Sequence, residues 1–241
     1  MTFIRNGKTE SDVDIMIHEA NRFYAKALDD SNCRFHSWEN CYKAFYEARG
    51  KDNVDYDYLC LQLGFYLASW GMLRDSFLLE KTHTVHKKAV SKILDKKYDS
   101  LLGIRCSDYD DKNIDLLFEL KDALSEFYKA ERESVKKGVK SDISDILLSK
   151  ILMGTLGCVP AYDEYFKRAS IDTKIASSSF NKNSVKALKD YYISNTAAFD
   201  EVRKNMTTPD GLCYPQMKFL DMAFWNLGYD IKDGSVTVIK K

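Results

Sequence analysis

Three stretches of the chain set reactive residue types at spacings that would let them act together. In Glu80-Lys-Thr-His83-Thr-Val-His86, a carboxylate and two imidazoles recur at i, i+3 and i+6. On one helix they would fan across a single face, as in the Glu-x-x-His pairs of di-metal bundles. No second Glu-x-x-His completes such a site, so neither a metal nor any other cofactor is expected, and His86 is read as packing in an apolar stripe. In Ser69-Trp70-Gly-Met-Leu-Arg74-Asp75-Ser76 an apolar helix ends abruptly in charge. Arg74 can reach a phosphate or a carboxylate there, and so apolar a neighbourhood, Trp70 included, would strip water from any charge it held. The most specific stretch runs from Leu148 to Phe166: an apolar helix carries Lys150, glycines follow, and Val159-Pro160 leads to Asp163. Proline fixes that turn and delivers Asp163 to the first turn of the next helix, at the positive end of its dipole. Asp163 is the candidate catalytic carboxylate, with simple helix capping as the plainer role. Lys150, Arg74, Trp70 and Asp221 are candidate binding residues, Asp221 as a partner for Lys150 or Arg74.

Helical periodicity must position these groups. Ile15, Ala20, Phe23, Ala27 and Leu28 mark a first helix behind a Ser11 or Asp12 cap, and Trp38, Cys41, Tyr42 and Phe45 mark a second. A third, over about 55–71, is apolar on nearly all sides and is expected at the centre of the fold. Further helices are predicted over 76–98, along Ile114–Tyr128, from Ser141 to Gly154 or Gly157, from Pro160 to Ala169, over 184–206 and over 217–227, where Gly228 would close the last. The tail 229–239 alternates β-branched residues around Asp233-Gly234, the pattern of a small hairpin. The expected fold is therefore all-α: one domain of eight or nine helices around a buried central helix 55–71. A two-lobe division is placed near 136–141 and a β-hairpin at the C-terminus.

Composition agrees. Eleven glycines and 3 prolines in 241 residues are about half the usual share, against a turn-rich β-sandwich or a disordered tail. Thirty-six basic residues balance 36 acidic ones, so no global field draws the chain to nucleic acid or an anionic membrane. Lys87, Lys88, Lys96, Lys97, Lys136, Lys137 and Lys140 would make a phosphate-binding face only if they clustered in space, and otherwise read as a solvated surface. Six cysteines without a C-x-x-C pair fit neither structural zinc nor a disulfide framework, and read as free, mostly buried thiols. The amino terminus lacks a signal-peptide pattern, and the longest uncharged run, Tyr58–Leu73, is too short to span a bilayer. A soluble, cytoplasmic protein without membrane partners is expected.

The Lys150-to-Asp163 stretch, ending Val159-Pro160-Ala-Tyr-Asp163, resembles the catalytic segment of helix-hairpin-helix DNA glycosylases. There a lysine-bearing helix leads to a Val-Pro-x-Asp-like turn. That resemblance implies that Asp163 stabilises an oxocarbenium-like sugar, or activates a nucleophile, as an N-glycosidic bond breaks, with the base held in an aromatic pocket. Lys150 is assigned no nucleophilic role. Where the family carries a Leu-Pro-Gly-x-Gly hairpin this chain reads Ser141-Asp-Ile-Ser-Asp-Ile. Leu67–Arg74 and Leu152–Asp163 also resemble uncharacterised bacterial helical proteins, which implies no activity. Two readings result. The first is a helical binding or interaction module with nucleic acid or another protein as partner. The alternative is a glycosylase-like protein acting on nucleic acid or a nucleoside.

Overall fold

The structure, a computed structural model, describes residues 1–136, 138 and 142–239. Ten α-helices lie among those residues, one or two more than expected, with three short strands. Strands β1 (Thr2–Arg5) and β2 (Lys8–Ser11) form a hairpin, and β3 (Val236–Ile239) pairs antiparallel on the other side of β1. Asn6 and Gly7 both have positive φ, as a two-residue hairpin turn requires. The C-terminal strand thus finds its partner at the opposite end of the chain, while residues 229–233, expected to be its hairpin mate, are helical.

Helices α1 (Asp12–Asp29), capped by Ser11, and α7 (Glu164–Thr173) pack on the long α10 (Gln216–Asp233). Helix α2 (His36–Ala48) packs on α3 (Tyr56–Ser69) and α6 (Asp145–Leu156), and α6 also meets α5 (Asp111–Val135). The fully enclosed helix is α6, in which every residue from Leu147 to Leu156 is buried. Helix α3 does not hold the central, buried place expected of 55–71. It turns Leu59, Leu63 and Leu67 inward but leaves Tyr58, Leu61 and Phe65 exposed along one stripe. An apolar sequence alone cannot separate a helix covered on all sides from one with a bare face.

The single helix expected over 76–98 is broken. Only α4 (Lys87–Ile93) is α-helical, between 3-10 turns at Phe77–Glu80, His83–His86 and Lys96–Leu101. Ser76 and Asp95 accept hydrogen bonds from the amides of Leu78 and Lys97, offering the backbone an alternative to helix continuation. Residues 184–206 likewise divide at Asn195 into α8 (Lys182–Ser194) and α9 (Thr196–Arg203). Helix α10 runs straight through Gly228 and stops at Gly234, whose φ is positive. Gly228 is there for closeness: a Cβ would overlap the backbone carbonyl of Tyr165 in α7. Of the division near 136–141, residues 137 and 139–141 lie outside the described ones. No helix among the described residues is long and apolar enough to cross a membrane.

Candidate functional site

The segment after α6 sets the site. Gly157 ends the helix with positive φ, and residues 158–162 run buried. Two side chains pin this stretch: Ser149 Oγ accepts from the Tyr162 amide at 2.9 Å, and Asp221 Oδ1 accepts from the Ala161 amide at 2.8 Å. Helix α7 begins four residues later than the proline suggested. Asp163 is its N-cap, with Oδ1 accepting from the amides of Tyr165 and Phe166 at 3.1 and 3.2 Å. The capping role holds one carboxylate oxygen and leaves the other to face Lys150.

Lys150 Nζ lies 3.6 Å from Asp163 Oδ2 and donates at 2.9 Å to the carbonyl of Trp70, the residue closing α3. Both are nearly enclosed, Lys150 at 5% and Asp163 at 8% exposure. Burial lowers the Lys150 pKa, with Asp163 opposing it; burial raises that of Asp163, with Lys150 and the capping amides pulling it back. The pair sits at the floor of a cleft of about 320 Å³ lined by Arg34, Trp70, Gly71, Arg74, Lys150, Asp163, Glu164, Tyr165 and Trp225. That volume is at the small end of about 300–1,000 Å³ for ligand pockets.

Aromatic rings wall the cleft. Trp70 meets Trp225 edge to face at 5.8 Å and lies nearly parallel to Phe35 at 5.6 Å, while Tyr165 abuts Trp225 at 5.2 Å. The Arg34 guanidinium sits 5.0 Å from the Trp70 ring centre and 6.0 Å from that of Trp225. The Trp70 indole N–H is buried with no acceptor among the described residues. Neither the Arg34 nor the Arg74 side chain has a hydrogen bond or ion pair there, whereas Glu164 is tied to Lys232 at 2.7 Å. Arg34 is carried by the α1–α2 connection, which is braced where His36 bonds Glu39 and the Asp30 carbonyl. Burial pushes the His36 pKa down, and the bond to Glu39, the Glu39 charge and the Asp30 and Ala27 carbonyls together more than offset it, so the net shift is upward.

Four of the five residues singled out in the sequence, Asp163, Lys150, Arg74 and Trp70, therefore line one cleft. Asp221 stands behind it. Its ion pair is with Lys218, at 2.8 Å, while its charge also acts to raise the Lys150 pKa, and this second buried pair braces the turn that carries Asp163. Five lining residues were not foreseen as site residues, among them Arg34, Tyr165 and Trp225. Trp225 and Tyr165 sit at helical spacing that reads as core, and Arg34 follows a polar connection without periodicity.

The other candidates fall apart in space. His83 bonds Asp57 and His86 bonds Tyr128 OH, so the Glu80–His83–His86 face does not exist as one surface. Burial lowers the His86 pKa to about 4. Among the described residues no cluster of His, Cys, Asp or Glu could hold a metal ion. Lys87 and Lys88 line one groove with Lys81 and Phe127, and Lys96 and Lys97 line another with Lys112, where Lys97 is paired with Glu119. Lys137 and Lys140 lie outside the described residues. All six cysteines are free thiols, four of them buried; burial raises Cys60 to about 11 and Cys106 and Cys158 to about 12.

No protein-family model, no curated protein and no solved structure matches the chain.

Proposed function

We propose that the cleft takes up a nucleobase-bearing ligand and that Asp163 acts on the bond joining base to sugar. The observation that carries this reading is the buried Lys150–Asp163 pair opening onto an aromatic-walled cleft. A ring resting on Trp70 and Trp225 would set the glycosidic carbon beside Asp163. As the C1′–N bond breaks, its electron pair leaves with the base nitrogen and positive charge develops on the sugar. The carboxylate opposes that charge; water then bonds to C1′, its proton passes to Asp163 and from there through solvent to the departed base nitrogen, which restores the carboxylate. Lys150 positions the carboxylate, and the capping amides fix its orientation. Burial raises the Asp163 pKa, which makes it a better base for taking the water proton.

The test is release of free base, followed by chromatography, from the common nucleosides and from single- and double-stranded DNA and RNA. Wild type should release base from at least one, and Asp163→Asn, which preserves the cap, should be slower by about 10²-fold or more. Equal rates in the two proteins, or no release from any substrate, overturn the reading.

The interaction-module reading has its own support in the bare α3 stripe, where Phe65 is 62% exposed beside Tyr58 and Leu61. Its simplest form is self-association through that face, seen as a mass that rises with concentration in sedimentation and falls back in Phe65→Ser.

A further inference from the structure

The ring-binding reading leaves two groups at the cleft without employment. Arg34 and Arg74 both line it, and neither meets a carboxylate among the described residues. Lys150 is a third cation, and the Arg34 charge is close enough to act on it. Against these three stands Asp163, with Asp221 behind it already paired to Lys218 and Glu164 held by Lys232. Like charges lining one cleft without counter-charge repel, although solvent screens part of this because Arg34 and Arg74 are exposed. An empty cleft of this kind is a positive well. Guanidinium groups present paired N–H donors in a plane that matches two oxygens of a phosphate, and Arg rather than Lys at both positions favours that geometry.

We propose that Arg34 and Arg74 form a phosphate clamp at the cleft, so that the ligand is a phosphorylated nucleoside unit rather than a bare nucleoside. This rests on the nucleobase reading above and narrows it. Arg34 lies over Trp70, the ring platform, so its guanidinium leaves that face as the base arrives and turns to the phosphate. A monophosphate and a phosphodiester in a strand share this chemistry.

The experiment measures tryptophan-fluorescence titrations of the wild-type protein and an Arg34→Gln/Arg74→Gln double variant. Both residues are exposed and make no internal hydrogen bond; the variant gives up the Arg34 contacts with Trp70 and Trp225, and equal unfolding midpoints in the two proteins check that the fold is kept. The probes are the common nucleosides, their 5′-monophosphates and short single- and double-stranded oligonucleotides at low and moderate salt. In parallel, arginine side-chain NMR signals follow the addition of inorganic phosphate. Monophosphates should bind wild type about 10-fold or more tighter than the nucleosides. That ratio should collapse in the double variant and recover in part in Arg34→Lys/Arg74→Lys. If a strand is the source, its affinity should fall with salt, and the slope should flatten by about 1 in the variant, one phosphate's worth of released counterion. Nucleosides binding as well as monophosphates, or a ratio unchanged in the variant, would overturn the clamp while leaving the nucleobase reading intact. Phosphate shifting the Arg34 and Arg74 signals while no nucleoside or nucleotide binds supports the clamp and removes the nucleobase. No response to any probe overturns both.

Discussion

Helix α10 carries two clusters of buried charge that are built in opposite ways. Near its C-terminal end, Asp230 joins Glu19 of α1, and both carboxylates are shared by Arg5 of β1 and Arg22 of α1. Arg22 reaches each carboxylate at 2.7 Å, and Arg5 lies 3.2 Å from Asp230. Glu10 of β2 adds a third carboxylate at 4.0 Å from Arg5, so each of the two cations is fully matched, and the cluster ties the terminal sheet to the helices. Near its other end, the helix contributes Trp225 to the cleft and Asp221 to the bracing pair behind it. There Lys150 faces Asp163, Glu164 and Asp221 are taken up by other lysines, and Arg34 and Arg74 have no ion-pair partner among the described residues. Balanced charge holds elements together; unbalanced charge beside an open volume is an arrangement waiting for a ligand.

Breaking the balanced cluster should have the largest effect on stability. Asp230→Ala leaves two guanidiniums, one of them buried, short of counter-charge, and removing one partner of a buried pair costs about 3–5 kcal/mol. Denaturant unfolding should show a loss of that order, with base release per folded molecule unchanged. A variant as stable as wild type would mean that the cluster does not hold the sheet.

Acid should act through a third kind of buried group, His86, which is enclosed without charge against Tyr128. Its folded pKa of about 4 lies below the unfolded value of 6.5. Between those values the unfolded chain binds a proton that the folded chain does not. Stability from this residue is thus complete above pH 6.5 and is lost as pH falls towards 4, by about 3 kcal/mol in all. Equilibrium unfolding from pH 7 to pH 4 should fall less steeply in His86→Gln; identical slopes would contradict the assignment.

A smaller effect sharpens the comparison, because it lies between the clusters. Gly228→Ala forces α10 away from the Tyr165 carbonyl, and overpacking of this kind costs about 1–3 kcal/mol. Since Tyr165 and Trp225 wall the cleft, ligand-induced change in tryptophan fluorescence should weaken with it. Unchanged stability would show that the close helix approach has slack.

The cleft was partly legible in the sequence because its chemistry is local. Pro160 and the cap preference of Asp163 place one carboxylate, and Lys150 precedes it on an apolar helix that has to be buried. Arg74 and Trp70 announce themselves where an apolar run ends in charge. Arg34 carries no such mark, since only the fold brings the α1–α2 connection over Trp70. The balanced cluster was illegible for the same reason: Arg5, Glu19, Arg22 and Asp230 come from both ends of the chain. Helix type followed periodicity, but helix continuity did not. Side-chain caps at Ser76 and Asp95 and the division at Asn195 decide it locally, and Gly228 continues a helix that glycine usually closes. The Asn6-Gly7 turn was a readable hairpin signal, flanked by strands too short to show alternation.

The account turns on Asp163 being held for a ligand rather than for the fold. Stability and base release measured side by side in Asp163→Asn test this most directly. The Asn side chain still caps α7 but leaves the buried Lys150 ammonium without its counter-charge, so the unfolding free energy should fall by up to about 3–5 kcal/mol, while base release per folded molecule falls by about 10²-fold or more. A large loss of stability with base release per folded molecule intact would make Asp163 a structural cap and contradict the account.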